Sequence, residues 1–224
     1  MPTDPSVEPG SFAGERHQFR FVVLGKVESL DDFGPLGDGA FSLGRATFGH
    51  AESEEETLRH LVGDHVVVAV DGDAGTVAGM TILATATGAG LPEGLLLRSA
   101  EVSQSMTIAH LQGTVIRPDA RGRGLYRELN RLRFDSILER RIRFVSTTTQ
   151  NVKVERGVRS ILHELVSDEQ IDGWSLDTEV RPGFYGQLLV ADQPATVGTP
   201  FEHLDREAGD ACTLLFDLRY EAAS

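Results

Sequence analysis

The feature that most constrains the fold of this chain is a strand followed by a turn with two glycines and then by a helix. Residues 114–129 read TVIRPDARGRGLYREL: an apolar strand, a proline turn, an Arg-Gly-Arg-Gly segment and an amphipathic helix. Glycines at such a junction let the backbone approach a ligand closely, and the first amides of the helix form an anion site. Because Arg121 and Arg123 add full positive charges, we predict that this segment binds a pyrophosphate.

Two common nucleotide-binding loops do not fit the segment. No Gly-Lys-Ser/Thr follows Gly124, which excludes a Walker loop. The three-glycine fingerprint of dinucleotide-binding folds is also missing. The predicted anion site therefore belongs to a different architecture.

Charge is unevenly distributed along the chain. The 224 residues carry a formal net charge of -13, yet residues 117–159 hold 12 basic and 5 acidic residues. Nucleic-acid binding needs a broad cationic footprint rather than one band, so we predict no nucleic-acid partner. The composition, with 40% hydrophobic and 25% charged residues, is that of an ordinary globular protein.

Membrane, disulfide and metal classes are not expected. The longest apolar runs, such as Val66–Val70, are far shorter than the roughly 18 residues of a spanning helix. Residues 1–14 do not resemble a signal peptide, and we predict a cytoplasmic protein. Cys212 is the only cysteine and is interpreted as a small buried hydrophobic residue. The seven histidines do not cluster at the spacing of metal ligands, so no metal is predicted. The excess of 19 arginines over 2 lysines suggests a bacterial source.

Hydrophobic periodicity predicts a series of strands and helices. Ser53 to Glu56 form a capping-box pattern that opens a helix, and Asn151 is positioned to cap another. Segment 30–50 suggests a short helix with a loop, and Gly88–Arg98 an inserted loop. The predicted strands are Phe19–Leu24, His65–Asp71, Thr76–Ala84, Thr107–Ile116, Arg143–Thr149, Gly183–Val190 and Thr213–Arg219, and the main helices lie at about 124–140 and 154–165.

This order predicts one mixed α/β (α+β) domain. A hairpin followed by β-α-β-α implies a central mixed, mostly antiparallel sheet with helices on both faces. Residues 1–17, with three prolines and two glycines, are predicted to form a flexible tail, and residues 18–224 the folded domain.

The glycine segment resembles the acyl-CoA-binding motif of the GNAT superfamily of N-acyltransferases. The family pattern is Val-x-Pro-x-x-Arg-Gly-x-Gly-x-Gly/Ala before a leucine-bearing helix. The matching residues are Ile116, Pro118, Arg121, Gly122 and Gly124, and Tyr126 replaces the last Gly/Ala. The element order from about Phe19 to Arg219 also resembles the family fold.

The resemblance implies a CoA-binding site. The family binds the CoA pyrophosphate through loop amides, which here correspond to Arg121, Gly122, Arg123, Gly124, Leu125 and Tyr126. The pantetheine arm would pair with Val115 and Ile116, and Asn151 would contact the pantetheine region. Arg127 or Lys153 could meet the 3′-phosphate of CoA.

The resemblance leaves the catalytic residue open. Val158 stands where family members usually carry a tyrosine acid, and His163, in Leu162-His163-Glu164-Leu165, is the nearest substitute. His110, Glu101 and Glu155 are further candidates for a base. Strand alternation places His110, Gln112 and Thr114 on one face, and an amide near Gln112 to Thr114 is a candidate oxyanion donor.

The functional hypothesis is transfer of an acyl group, most simply acetyl from acetyl-CoA, to an amine by direct attack. The acidic remainder of the chain favours a cationic small-molecule or peptide acceptor. The first alternative is a non-catalytic acyl-CoA-binding or sensing module. The second is an enzyme that uses a longer acyl-CoA or another CoA-thioester reaction. The oligomeric state stays open, with a homodimer as one option.

Overall fold

The computed structural model describes residues 19–48, 53–72, 74–87, 106–188 and 196–221 of the protein. Four α-helices and two 3₁₀ segments, Leu30–Leu36 and Pro118–Ala120, are found there. The helices are α1 (Gly37–Phe48), α2 (Glu54–Leu61), α3 (Leu125–Glu139) and α4 (Val152–Ser167). The strands are β1 (Phe19–Val27), β2 (Gly63–Asp71), β3 (Val77–Thr87), β4 (Thr107–Ile116), β5 (Phe144–Thr149), β6 (Gly173–Arg181) and β7 (Ala211–Arg219).

Hydrogen bonds join the seven strands in the order β1-β2-β3-β4-β5-β7-β6. The pairs β1–β2, β2–β3, β5–β7 and β6–β7 are antiparallel, and β4–β5 is parallel. The parallel pair is joined through α3, as a crossover connection requires. This topology confirms the predicted mixed, mostly antiparallel sheet.

The described residues fall into two compact units. The first comprises those within Met1–Leu83 and Gln112–Arg133, and the second those within Ala84–Leu111 and Phe134–Ser224. The predicted tail at residues 1–17 and the predicted loop Gly88–Arg98 lie outside the described residues.

The first unit packs helices on both faces of its strands. Successive residues of β2 alternate between two apolar clusters, because side chains alternate across a strand. One cluster joins Val66, Val68 and Val70 to Leu43 of α1 and Leu61 of α2. The other joins Val67 and Ala69 to Leu125 and Leu129 of α3.

The capping box at the start of α2 is confirmed. The Ser53 hydroxyl accepts a hydrogen bond from the Glu56 amide at 3.2 Å, and the Glu56 carboxylate accepts one from the Ser53 amide at 2.8 Å. Two amides that have no partner within the helix are thereby satisfied.

The second unit contains α4, β5, β6 and β7. Asn151 caps α4, as predicted, because its side-chain oxygen accepts a hydrogen bond from the Lys153 amide at 2.9 Å. Helix α4 buries an apolar stripe at helical spacing, consisting of Val158, Ile161, Leu162 and Leu165. The fully buried residues of β7 include Leu214 and Phe216.

The prediction of a strand at Gly183–Val190 is wrong. Residues 182–187 form turns and bends, and Val190 lies outside the described residues. The strand of this region is β6, which is the last strand in the sheet order and pairs only with β7 among the described strands. Edge strands often carry charged and polar side chains, which discourage pairing with other chains. The segment Gly173–Arg181 therefore lacks the apolar run by which the other strands were predicted.

Candidate functional site

The loop between β4 and α3 is anchored at its start. The Arg117 amide donates to the Ala78 carbonyl oxygen at 2.9 Å. The Arg117 side chain lies 3.2 Å from the carboxylate of Asp71 and 2.6 Å from that of Asp119. These contacts raise the pKa of Arg117, chiefly through the hydrogen bond to Asp119. Arg117 therefore holds the loop, and its charge is largely balanced by the two carboxylates.

Both glycines of the loop adopt left-handed backbone conformations. Gly122 has φ 76° and Gly124 has φ 80°, which other residues rarely adopt. A Cβ atom built at either position would meet no atom within 4 Å. Glycine is thus required here for the course of the backbone and not for close packing, and the space beside both residues is open.

Several amides of this turn have no acceptor among the described residues. They belong to Gly122, Gly124, Leu125 and Tyr126, while the Gly124 carbonyl oxygen accepts from the amides of Arg127 and Glu128. The first amides of a helix lack intrahelical partners and lie at the positive end of its dipole. The start of the 15-residue helix α3 therefore provides a set of donors suited to an anion.

The predicted loop residues differ in what they can offer a ligand. Arg121 and Arg123 are exposed, and the Arg121 Nε donates to the Ile116 carbonyl oxygen at 3.2 Å. Val115 and Leu125 are buried in the apolar clusters, so only their backbone atoms are available. Ile116 is partly buried against the cluster that contains Leu125.

A buried polar network below the loop was not predicted. The Asn130 side chain donates to the Tyr126 carbonyl oxygen at 2.8 Å and to the Thr114 hydroxyl at 3.3 Å. Its side-chain oxygen accepts from the guanidinium of Arg133. Asn130 and Arg133 are 0% and 2% exposed. This network ties the first turn of α3 to β4.

Arg133 is a cation that is bound mainly by neutral oxygens. Its Nη1 donates to the carbonyl oxygens of Ile82 at 3.1 Å and of Gly113 at 3.2 Å, and its Nε has no partner within the described chain. Burial lowers the pKa of Arg133 to about 10, so the side chain remains positive at neutral pH. Tyr126, Asn130 and Arg133 recur at helical spacing, which is the sequence pattern that could have identified this face.

The predicted alternation along β4 breaks at Gly113. Gln112 donates through its side chain to the carbonyl oxygen of Arg59 on α2. Thr114 contacts Asn130 on α3, which packs on the opposite face. Gln112 and Thr114 therefore do not share a face, contrary to the prediction. An extra residue in a strand produces such a break.

The parallel ladder that β4 forms with β5 is short. It joins Ile108, Ala109 and His110 to Phe144, Val145 and Ser146, although β4 continues to Ile116. The last six residues of β4 lie outside this ladder.

The second unit contains the described candidates for the catalytic base. His110 is 9% exposed, and its Nδ1 lies 3.0 Å from the Ser146 hydroxyl. His163 is exposed on α4, with its ring centroid 5.3 Å from that of Trp174. Glu155 is 4% exposed and paired with Arg159, so its carboxylate is engaged. Glu101 lies outside the described residues.

Three further polar groups of the second unit are either protonated at neutral pH or engaged in hydrogen bonds. Burial raises the pKa of the Cys212 thiol to about 12, so the buried thiol stays protonated at neutral pH. The Tyr185 hydroxyl donates to the Thr148 carbonyl oxygen at 2.7 Å, and burial raises its pKa to about 12. Asn151 donates through its own amide to the Thr149 hydroxyl at 3.0 Å.

Solved structures identify the architecture. No protein-family model and no curated protein matches this sequence. The ribosomal-protein-S18-alanine N-acetyltransferase of Escherichia coli superposes with a TM-score of 0.50 at 13% identity, covering 91% of this chain and 97% of that one. Arabidopsis thaliana NAA60 in complex with a bisubstrate analogue gives 0.52 at 13% identity, covering 90% and 99%. Mosquito arylalkylamine N-acetyltransferase like 5b gives 0.50 at 18% identity, covering 88% and 99%.

The protein has the GNAT fold. Its seven-stranded, mostly antiparallel sheet and its four described helices are consistent with this fold. At these identities, the likeness establishes the fold, and the chemistry has to be argued from the residues.

Two positions of this GNAT-fold protein depart from the family pattern. Val158, at the position of the usual tyrosine, is fully buried on α4 and cannot move a proton. Tyr126 replaces the last Gly/Ala of the motif, and burial raises the pKa of its phenol. The Tyr126 carbonyl oxygen is held by Asn130.

The described part of this GNAT-fold chain contains no group of three or more His, Cys, Asp or Glu side chains arranged to hold a metal ion. Among its described helices, none is long and apolar enough to span a membrane.

Proposed function

We propose that this protein is an acyl-CoA-dependent N-acyltransferase that most simply transfers acetyl from acetyl-CoA to an amine. The observation that carries the proposal is the set of amides at Gly122, Gly124, Leu125 and Tyr126, which have no acceptor among the described residues and lie at the start of α3 in a GNAT fold. A pyrophosphate is the anion best matched to several convergent amides with two exposed arginines beside them.

The loop has three roles in this proposal. Its amides bind the pyrophosphate oxygens, and the left-handed conformations of Gly122 and Gly124, with φ values of 76° and 80°, set the course of the backbone that carries those amides. The exposed side chains of Arg121 and Arg123 add attraction that depends on ionic strength. Arg127 and Lys153, both exposed, are the proposed contacts for the CoA 3′-phosphate.

The end of β4 is the proposed path of the pantetheine arm. Val115 and Ile116 lie beyond the short parallel ladder, so their backbone can pair with an extended ligand as a strand would. Asn151 lies between β5 and α4, and its side-chain oxygen caps α4. It is the proposed contact for the pantetheine arm on this side.

The break at Gly113 supports a site for the thioester carbonyl. Arg133 donates to the Gly113 carbonyl oxygen, which polarises the peptide that ends in the Thr114 amide. A polarised amide is a stronger donor to an oxyanion, and a buried positive charge stabilises negative charge that develops nearby. We therefore propose the backbone near Gly113 and Thr114 as the oxyanion donor.

The proposed reaction is a direct attack. The amine nitrogen bonds to the thioester carbonyl carbon, and the carbon–sulfur bond breaks. The amine proton passes to a base, and the departing thiolate takes up a proton from that protonated base or from water to become a thiol. An alkyl amine has a pKa of about 10.4 and a thiol about 8.5, so deprotonating the amine is the more demanding step. The protonated, buried Cys212 takes no part, and no covalent enzyme intermediate is needed.

His110 is the first candidate for the base, and His163 is the second. His110 lies on the strand that leads into the motif and is oriented through Ser146. His163 packs against Trp174 and is open to water. Positioning of amine and thioester alone contributes roughly 7–11 kcal/mol to such reactions, so a water chain could replace either histidine.

The proposed acceptor is an amine of a small molecule or peptide. The net charge of -13 favours a cationic acceptor by electrostatic steering. Two of the similar structures are N-acetyltransferases named for a ribosomal-protein alanine and for an arylalkylamine, and both of these acceptors are amines. We also propose a bacterial source, from the excess of 19 arginines over 2 lysines, and a cytoplasmic location.

A non-catalytic acyl-CoA-binding module is the second candidate. It is favoured by the buried Val158 at the position of the family's tyrosine. A longer acyl donor or a different CoA-thioester reaction is compatible with the same loop.

The test combines native mass spectrometry with a thiol-release assay. Mass spectrometry of the purified protein should show a bound CoA ester and report its acyl length and the oligomeric state. Acetyl-CoA with a panel of amines should then release free thiol. Tight CoA binding without thiol release on any amine or acyl donor would establish the binding module instead.

A further inference from the structure

A second cationic site lies in the second unit, at the C-terminal end of α3 and the starts of β4 and β5. A cavity of about 350 Å³ opens there. Its apolar part is formed by Met106, Ile142 and Phe144, and Arg140, Arg141 and Arg143 line it as well. The volume is at the lower end of the range for small-molecule sites, roughly 300–1,000 Å³.

Among the described residues, a carboxylate partner is found for one of these three arginines. Arg143 binds Asp217 through two bonds, of 2.6 and 2.7 Å. Arg140 donates to the Thr85 hydroxyl at 3.1 Å, and Arg141 donates to the Glu221 carbonyl oxygen at 2.9 Å. Within the described ranges, neither Arg140 nor Arg141 has a carboxylate partner. In a chain with 34 acidic and 21 basic residues, carboxylates are not scarce.

Neutral contacts hold these two guanidinium groups without cancelling their charge. Arg141 lies 5.1 Å from the centroid of the Tyr220 ring, in a cation–π contact. A guanidinium has five N–H donors, so one hydrogen bond leaves most of them available. Anchored side chains lose less conformational entropy when they bind a ligand.

The backbone of Arg141 has a conformation that is uncommon for residues other than glycine. Its amide donates to the Leu138 carbonyl oxygen, and the Ile142 amide donates to that of Ile137, which is a Schellman ending of α3. Arg141 occupies the left-handed position of this motif with φ 48°, where glycine is usual. A glycine would satisfy the fold with less strain. The arginine side chain is therefore kept at a conformational cost.

We infer that this cavity binds a small organic anion, with a phosphate or carboxylate group held by Arg140 or by Arg141 and a compact apolar part against Ile142 and Phe144. Guanidinium groups suit both kinds of oxyanion through paired donors. This site is additional to the proposed CoA loop and does not depend on it.

The test is a titration of the full-length protein followed by NMR and calorimetry. The probes are phenyl phosphate, benzoate, inorganic phosphate and the neutral benzyl alcohol. We expect phenyl phosphate or benzoate to bind with a dissociation constant of about 0.1–1 mM and to shift the amides of Thr107 and Ile142. Inorganic phosphate and benzyl alcohol should each bind at least about tenfold more weakly. The reason is that inorganic phosphate lacks the apolar part and benzyl alcohol lacks the negative charge. The ratio between the two organic anions identifies the preferred headgroup.

Variants distinguish this site from other cationic surfaces. Arg141→Gly should weaken binding at least about tenfold while the melting temperature stays equal or rises. Arg140→Gln should also weaken binding, and Arg20→Gln, at an exposed arginine of β1, is the charge-matched control. Gly124→Glu, which disables the proposed CoA loop, should leave binding unchanged.

Three results would overturn the inference. The first is that Arg140→Gln and Arg141→Gly both bind the organic anions as tightly as the parent protein does. The second is that benzyl alcohol binds as tightly as phenyl phosphate and benzoate. The third is that Gly124→Glu no longer binds phenyl phosphate. The last result would place the anion at the loop and would support the proposed function while removing the second site.

Discussion

The Nη1 of Arg133 on α3 donates to the carbonyl oxygen of Gly113 on β4 at 3.2 Å. This bond brings a buried cation to the point where side-chain alternation along β4 breaks. Because Arg133 also binds Asn130, which holds the Tyr126 carbonyl oxygen, the same network supports the first turn of α3. Strand β4 and the turn that is proposed to bind an anion are thus joined by one buried group.

Removal of Arg133 should destabilise the first unit and uncouple this network. Arg133→Met is expected to lower the free energy of unfolding by about 1–3 kcal/mol, because buried carbonyl oxygens lose a donor. In a double-mutant cycle with Asn130→Ala, the coupling should exceed about 0.5 kcal/mol, as for residues in one network. Denaturant unfolding measures both quantities, with Arg131→Met as a control on the same helix. Additive effects of the two changes would contradict a shared network.

Gly124→Glu should abolish CoA binding while the protein stays folded. The substitution introduces a carboxylate at the proposed pyrophosphate site, and its left-handed backbone costs about 1–2 kcal/mol. Gly75→Glu is the matched control, because Gly75 has φ 64° and, like Gly124, no atom within 4 Å of a built Cβ. Calorimetry with CoA should therefore show loss of binding in the first variant only. Equal affinities in both would mean that the loop is not the CoA site.

The arginines of the loop should differ in their effect on CoA affinity. Arg121→Gln combined with Arg123→Gln is expected to weaken CoA binding about tenfold at low salt and to flatten its salt dependence. Arg117→Gln should mainly reduce stability, because its charge is already paired with Asp71 and Asp119. Affinities measured at several salt concentrations check this difference. A larger loss of affinity in Arg117→Gln would reverse the assignment.

His110 should matter more than His163 for catalysis. If His110 is the base, His110→Gln should lower kcat by about 10²–10⁴ with little change in CoA affinity. His163→Gln, at an exposed ring beside Trp174, should leave kcat within a few-fold. Thiol release with the best amine acceptor, followed against pH, measures both variants. A larger loss of kcat in His163→Gln than in His110→Gln would assign the base to His163 on α4. An unchanged kcat in both variants would indicate that water removes the proton.

The protein should lose stability at alkaline pH through Cys212, among other groups. Burial raises the pKa of this thiol from 9.0 to about 12, so it stabilises the fold fully below pH 9 and progressively less as the pH approaches 12. Cys212→Ala removes this titration. The decline in the free energy of unfolding between about pH 9.5 and 11.5 should become shallower by up to about 1.4 kcal/mol per pH unit. Denaturant unfolding across this range checks the slope, and parallel curves would contradict it.

Local patterns predicted most elements because the forces that form them act over a few residues. The Ser53–Glu56 capping box, the Asn151 cap and the valine-rich strand before Asp71 are all present as predicted. In each case, the partners lie within a few positions of one another in the chain. Strand β6 was missed, because the polar pattern of an edge strand resembles that of a loop.

By itself, the sequence determined the strand-glycine-helix junction and hence the prediction of an anion site with Gly122 and Gly124 at its centre. Only the tertiary structure decided what supports that site. Arg133 acquires its role from carbonyl oxygens of Ile82 and Gly113, which lie 51 and 20 positions away. Periodicity shows which side chains share a helix face, whereas the balance of charge and burial at one guanidinium depends on groups that only folding brings together.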